Sequence, residues 1–146
     1  MNERRPIRIL QAEDSAGDAE LTRLALSESE VSCEMHHVRD GIEALAFLRL
    51  ERPYEEAPRP DLVLLDLNMP RLGGREVLAA IKSDPLLCSI PVIVLTTSNA
   101  AEDVFRSYEL HVNSYVRKPL DFDQFVAVMQ SIEQFWIGTA ELPSLS

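Results

Sequence analysis

Five polar residues in this sequence are of the types that bind metal ions and phosphate groups. Three are acids, Glu13, Asp14 and Asp66, and the others are the hydroxyl of Thr96 and the amine of Lys118. Carboxylate oxygens suit Mg²⁺, which keeps several waters and shares its coordination shell with phosphate. A lysine supplies a mobile positive charge for the same phosphate. If the fold brings these side chains together, they form a magnesium and phosphate site.

Each of these residues also has an ordinary explanation when it is taken alone. Asp14 or Ser15 would cap the helix that "EDSAGDAE" opens. Thr96 would be a common strand residue, and Lys118 would be a solvated surface lysine. Asp66 is more informative because it ends the run "LVLLD", which is typical of a strand buried on both faces. A charge inside an apolar core is costly, so we expect Asp66 where the strand reaches the surface.

Short apolar runs alternate with helical patterns and predict the elements that position these residues. Five strands are predicted over Ile7–Ala12, Cys33–Val38, Asp61–Asp66, Pro91–Thr96 and Ser114–Arg117. Five helices are predicted over Ala16–Ser27, Gly41–Glu51, Gly74–Ser83, Ala101–Leu110 and Phe122–Ile137. The third and fourth strands are almost wholly apolar, as burial on both faces of a parallel sheet requires. The pattern predicts an α/β fold, a doubly wound five-stranded parallel sheet with helices on both faces.

This architecture predicts that the five polar residues meet at one edge of the sheet. In doubly wound sheets, ligands bind beyond the carboxyl ends of the strands. The five residues end or follow the first, third, fourth and fifth predicted strands. Two carboxylates about 4 Å apart repel by roughly 4 kcal/mol at an effective dielectric constant near 20, so three of them require a cation. Their joint occurrence at four strand ends favours a Mg²⁺ site over the separate ordinary explanations.

Length, composition and charge limit the classes of function. The 146 residues, 46% of them hydrophobic, predict one globular domain over residues 1–138, followed by a C-terminal tail at 139–146. The net charge of −10, from 24 acids and 14 Lys plus Arg, argues against binding to nucleic acid. The absence of a membrane-length apolar segment or a signal peptide predicts a cytoplasmic protein with no membrane partner. We expect output through protein contacts, because little sequence follows the fifth helix to form an output domain.

Four motifs resemble the receiver domain of two-component response regulators. They are "ILQAED", "PDLVLLDLNMP", "IPVIVLTTS" and "SYVRKP", which lie in the order and spacing of that family within residues 6–137. The resemblance implies the flavodoxin-like receiver fold, with strand order 2-1-3-4-5. It also implies that Asp66 is the phosphoacceptor, and that Mg²⁺ is held by Glu13, Asp14, Asp66 and the main-chain carbonyl of Asn68.

The same resemblance implies roles for three further positions. Thr96 would bond one phosphoryl oxygen and Lys118 would pair with another. Tyr115 occupies the aromatic switch position of the family, and Lys118–Pro119 corresponds to its cis peptide bond. The chemistry agrees, because a carboxylate that attacks a phosphoryl group forms an aspartyl phosphate while a metal and a lysine neutralise charge.

These observations predict a phosphoacceptor regulator that receives its phosphoryl group from the phosphohistidine of a sensor histidine kinase. Its own chemistry would be self-phosphorylation and slow autodephosphorylation, so it is not expected to be an enzyme acting on a separate substrate. The segments "HHVRDGIEALAFL", "NMPRLGGREVL", "IKSDP" and "LDFDQF" most resemble stand-alone regulators paired with phytochrome-type kinases, which suggests a bacteriophytochrome as partner. The sequence does not identify the downstream protein target.

Three alternatives share parts of this pattern. A degenerate receiver would act only as a docking module, but it would have lost part of the five-residue set, and none is missing. A flavodoxin-like flavin carrier would have a phosphate loop rich in Ser, Thr and Gly, whereas "EDSAGD" would repel a phosphate. An aspartate-based phosphohydrolase would have a second acid two residues after its nucleophile, where this chain has Asn68.

Three polar residues in the first two strands have no assigned role. Gln11 stands where bulky apolar residues are commoner, and a buried amide needs a hydrogen-bond partner or a gap in the helical cover. His36 and His37 point to opposite faces of the second strand because side chains alternate with a period of two.

The final predicted helix has more apolar surface than packing on the sheet requires. At about 100° per residue, its apolar side chains cover roughly 200° of the circumference, whereas a core-facing stripe starts near 100°. Val128, Ile132 and Phe135 lie on one flank. Because exposed apolar surface marks interaction sites, we predict a two-fold homodimer through this helix. The alternatives are that the tail folds over the flank or that helix crossing widens the buried stripe.

Overall fold

The computed structural model describes residues 6–27, 32–97, 100–119 and 121–137. The strands are β1 (Ile7–Ala12), β2 (Cys33–Val38), β3 (Leu62–Leu65), β4 (Val92–Thr96) and β5 (Ser114–Arg117). The helices are α1 (Ala16–Ser27), α2 (Gly41–Arg49), α3 (Gly74–Ser83), α4 (Ala101–Glu109) and α5 (Phe122–Ile132), which a π-helical turn, Glu133–Ile137, continues. The predicted tail at 139–146 lies outside the described residues.

The strands form one parallel sheet in the order β2-β1-β3-β4-β5, which confirms the predicted architecture. Every residue of β3 and β4 is buried, as their uninterrupted apolar sequences predicted. Alternate side chains of the strands enter two separate cores. Leu10 and Val63 belong to the core that includes residues of α2 and α3, whereas Ile9 and Leu64 belong to the core that includes residues of α1 and α5.

Some predicted boundaries extend too far. The third strand ends at Leu65, so Asp66 lies just beyond it. The second helix ends at Arg49 instead of Glu51, because Leu50 adopts a left-handed conformation (φ 58°). The N–H of Glu51 donates to the carbonyl of Ala46 at 2.9 Å, which closes this helix end.

The structure also corrects the prediction that Ile132 lies on an exposed flank of the last helix. Ile132 is only 5% exposed and packs in the same core as Phe125 and Met129. The three residues are spaced at i, i+4 and i+7, so they share one helical face and the buried stripe includes all of them. Phe135, by contrast, is 55% exposed. The exposed apolar flank is therefore narrower than predicted and lies closer to the end of the helix.

Two further observations concern the described ranges. The cis peptide bond there is Arg52–Pro53, and Lys118–Pro119 is not cis, contrary to what the resemblance implied. X-Pro bonds accept either isomer at small cost, so the dipeptide alone does not determine the geometry. None of the helices in these ranges has the length and apolar character needed to cross a membrane.

Candidate functional site

Asp66 is the first residue after β3 and is only 6% exposed. Its main-chain N–H donates to the carbonyl of Ala12 at 3.0 Å, and its Oδ1 accepts the N–H of Asn68 at 3.0 Å. The chain then turns so closely that a Cβ added to Gly74 would lie 2.3 Å from the carbonyl oxygen of Asp66. Glycine is therefore required where α3 begins beside the carboxylate.

The three predicted acids meet at the carboxyl edge of the sheet. One carboxylate oxygen from each of Glu13, Asp14 and Asp66 lies within 4.8 Å of the others. Glu13 and Asp66 are buried, whereas Asp14 is exposed at the rim. Oxygen donors gathered at this spacing fit a hard divalent cation. Asn68 is exposed next to them, and a role for its carbonyl as a further ligand stays a prediction.

Lys118 extends from the end of β5 into the same cluster, where it is buried. Its Nζ donates to Asp66 Oδ2 at 3.2 Å and also to Glu13 Oε1. A third acceptor, Asp18 Oδ2 at 2.9 Å, was not predicted from the sequence. Asp18 lies in the first turn of α1, and no local sequence signal marks it, because its partner Lys118 is 100 residues away along the chain.

Burial and charge act in opposite directions on the ionisable groups of this cluster. Burial raises the pKa of the Glu13 carboxyl to about 8, and its hydrogen bond with Asp66 acts in the same direction, while Lys118 opposes both. Burial alone would lower the pKa of Lys118, but its hydrogen bonds to Glu13 and Asp18 raise that pKa above its ordinary value. The raised pKa means that Glu13 favours its protonated form at neutral pH, and a cation bound between the acids would displace that proton.

Thr96 and Tyr115 lie on the two neighbouring strands next to this cluster. Thr96 is the last residue of β4 and is fully buried, and its carbonyl accepts the N–H of Lys118 at 2.6 Å. Tyr115 is half-buried on β5 and packs against the core that includes α2 and α3. Its N–H donates to the hydroxyl of Tyr108 on α4 at 3.4 Å. The pairing of β4 with β5, together with this hydrogen bond, therefore links the site to α4.

The two adjacent histidines make different contacts. His36 is hydrogen-bonded to Glu34, with 2.8 Å between Nε2 and Oε2, next to the ring of Phe47. His37 lies beside the predicted site, where its Nε2 donates to the main-chain carbonyl of Glu13 at 2.7 Å. This contact was not predicted, because it depends on the pairing of β1 with β2.

Residues 9–130 match the family model of the response regulator receiver domain. The chain belongs to this family. It is 48% identical over 136 residues to the response regulator Rcp1 of Synechocystis sp., an alignment that covers 93% of this chain and 92% of that protein.

Two solved structures agree with this family assignment. The phosphorylated cyanobacterial phytochrome response regulator RcpA is 51% identical, with a TM-score of 0.93, over 96% of this chain and all of that chain. The Mn²⁺-bound form of Rcp1 is 48% identical, also with a TM-score of 0.93, over 95% of this chain and all of that chain. The predicted receiver fold and response-regulator function are thus confirmed for this receiver, and its acid cluster has the donors of a divalent metal site.

Proposed function

We propose that Asp66 is the phosphoacceptor of this receiver and that it takes the phosphoryl group from a kinase phosphohistidine. The observation that supports this most directly is the convergence of Lys118, Glu13 and Asp14 on its carboxylate. Asn68 and Lys118 contact different oxygens of Asp66, at 3.0 and 3.2 Å. These contacts fix the orientation of the carboxylate beside a positive charge.

The proposed reaction needs few protein groups. A carboxylate oxygen of Asp66 forms a bond to phosphorus while the bond from phosphorus to the imidazole nitrogen of the donor breaks, and the imidazole leaves. Lys118 turns from the acids toward a phosphoryl oxygen, and the hydroxyl of Thr96 bonds another. Glu13, Asp14, Asp66 and the carbonyl of Asn68 would hold Mg²⁺, which when bound supplies positive charge to the phosphoryl oxygens.

Similarity to RcpA and Rcp1 supports a sensor histidine kinase of the phytochrome type as the donor. A cytoplasmic location of this regulator is part of the same proposal. A phosphotransfer profile against the histidine kinases of the source organism tests the pairing. Preferred transfer from a phytochrome-type kinase is expected, whereas equal transfer from unrelated kinases would contradict it.

We propose a second copy of this chain as a further partner, bound through the end of α5. Val116, Val128, Phe135 and Trp136 line an apolar cavity of about 340 Å³ between β5 and this helix. The rings of Phe135 and Trp136 pack edge to face, with centroids 5.4 Å apart, next to the cavity. A two-fold contact would let the exposed Phe135 of each copy enter the cavity of the other.

Intact mass spectrometry after incubation with acetyl phosphate and Mg²⁺ tests the phosphoacceptor. We expect addition of one phosphate to the wild type and none to Asp66→Asn. Asp123→Asn is a matched control, because Asp123 is an exposed aspartate in the first turn of α5. A phosphate that is still added to Asp66→Asn, or that is added equally in excess chelator, would contradict the assignment of Asp66.

A further inference from the structure

Gln11 is a buried polar residue whose side chain has no hydrogen-bond partner within the described ranges. It lies on β1, the strand next to the edge strand β2, is 4% exposed, and pairs in register with His37 of β2. Among the described residues, Ser107 Oγ is the buried side-chain atom without a partner, so the Gln11 amide reaches solvent and is free to bind water or a ligand. The amide lines a cavity of about 280 Å³ between α1 and β2.

The rim of this cavity is basic although the whole chain is acidic. Arg23 and Arg39 line it together with His37, and the chain has a net charge of −10. Arg23 is paired with Glu20, the one acid of the lining, through Nε and Oε2 at 3.0 Å. Arg39 has no ion-pair partner among the described residues, so the lining has one uncompensated positive charge.

From the amide of Gln11 and this basic rim we infer a binding site for a small oxyanion, with Gln11 at its base and Arg39 at its rim. The amide offers both a donor and an acceptor, and a guanidinium binds carboxylate and phosphate in bidentate geometry. Water satisfies Gln11 when no ligand is bound, and the cavity, at about 280 Å³, has room for a molecule larger than one water. The inferred ligand is a molecule with a carboxylate or phosphate group.

The site is connected to the acid cluster through His37. Its Nε2 donates to the carbonyl of Glu13, and the N–H of Glu13 donates to the carbonyl of Val38 at 3.0 Å. A ligand that contacts the imidazole would therefore bias the position of Glu13. This coupling rests on the proposed metal site, whereas the binding itself does not.

Titration of the full chain with malonate, inorganic phosphate or sulfate, followed by NMR in chelator at constant ionic strength, tests the binding. Asp66→Asn serves as the background, so that the proposed phosphorylation chemistry cannot affect the result. We expect saturable shifts of the Gln11 side-chain amide in the millimolar range, and the three probes distinguish carboxylate from phosphate recognition. Shifts confined to Lys118 would place the anion at the other site and overturn the proposal.

Variants of the cavity provide the second measurement. Gln11→Leu and Arg39→Gln should each weaken binding about tenfold or more, the usual loss for a hydrogen bond to a charged group. Arg49→Gln, on the exposed end of α2, is the matched control and should bind like the parent. Absence of saturable binding for all three probes would mean that only water occupies the cavity and would refute the inference.

Discussion

The ammonium group of Lys118 lies 3.2 Å from Asp66 Oδ2, although 52 residues separate them along the chain. Both side chains are buried, so the contact contributes to stability as well as to the proposed chemistry. Breaking a buried ion pair by removing one partner costs on the order of 3 kcal/mol, because a charge is left without compensation.

Lys118→Met should therefore lower the free energy of unfolding by about 3 kcal/mol at neutral pH. Mg²⁺ should recover part of this loss, because the uncompensated acids bind the cation in the folded state. Urea denaturation with and without Mg²⁺ measures both effects. Arg117→Met, at the exposed neighbouring position, is the control and should change little. Equal stability of the two variants in the absence of Mg²⁺ would contradict this account.

Asp18→Asn tests the acid that the structure adds to the site. Asp18 competes with a phosphoryl group for Lys118, so removing its charge should tighten binding of beryllofluoride, a phosphoryl analogue, about fivefold, as expected for a partly exposed ion pair worth about 1 kcal/mol. Fluorescence or NMR titration gives the affinity. Glu20→Gln, on the same helix but paired with Arg23, should leave it unchanged. Weaker binding in Asp18→Asn would show that Asp18 positions Lys118 instead of competing for it.

Asp40 caps α2 and should make stability depend on pH. Burial would raise the pKa of its carboxyl, but the N–H of Glu43 and the guanidinium of Arg71 together lower it. A lowered pKa means that the stabilisation is present above the unfolded pKa, near 3.9, and is lost as pH falls through the folded pKa. Asp40→Ala should cost about 1–2 kcal/mol at pH 7 and less in acid.

Urea denaturation of the wild type and Asp40→Ala at pH 7 and at pH 3 measures this difference. Asp40→Asn keeps a capping oxygen without the charge, so it should retain part of the stability and show a weaker pH dependence. A cost for Asp40→Ala that is equal at both pH values would show that the charge of Asp40 contributes nothing.

Thr96 and Tyr115 should respond together to phosphorylation. A phosphoryl oxygen that draws the hydroxyl of Thr96 leaves room for Tyr115 to turn inward, which would alter its contact with Tyr108 and so move α4. Beryllofluoride should shift the NMR signals of both tyrosines in the wild type and in Thr96→Ser, but not in Thr96→Ala. Equal shifts in Thr96→Ala would mean that Tyr115 is a fixed strand residue.

Sedimentation of the unphosphorylated protein at micromolar concentration tests the homodimer. The wild type should sediment as a dimer and Phe135→Glu as a monomer, because a charge would enter the apolar cavity of the partner copy. Gln130→Glu, an exposed position on the same helix, is the control and should remain a dimer. If the wild type is monomeric at every concentration, the homodimer proposal is wrong, and the apolar flank then contacts another partner or the tail.

Local sequence was sufficient for the elements and for the proposed phosphoacceptor. Alternation of apolar runs with helical patterns predicted all five strands and all five helices. The signal of β3 and β4 was clear because strands that are buried on both faces require apolar residues at every position. The same physics placed Asp66 at the strand end, since a carboxylate is costly inside the sheet. The end of α2 was missed because Leu50, which is not a glycine, adopts the left-handed conformation that ends the helix.

The sequence by itself thus determined the fold class and the residue types at the carboxyl edge of the sheet. Only the tertiary structure decided that Asp18 shares Lys118, that His37 contacts Glu13 and that Ile132 is buried. Asp18 and Lys118 are 100 positions apart and meet because of the strand order and the packing of the helices. The periodicity of one segment contains no information about either. Periodicity reports which face of an element is apolar, whereas the contacts of that face depend on the neighbour that packs against it.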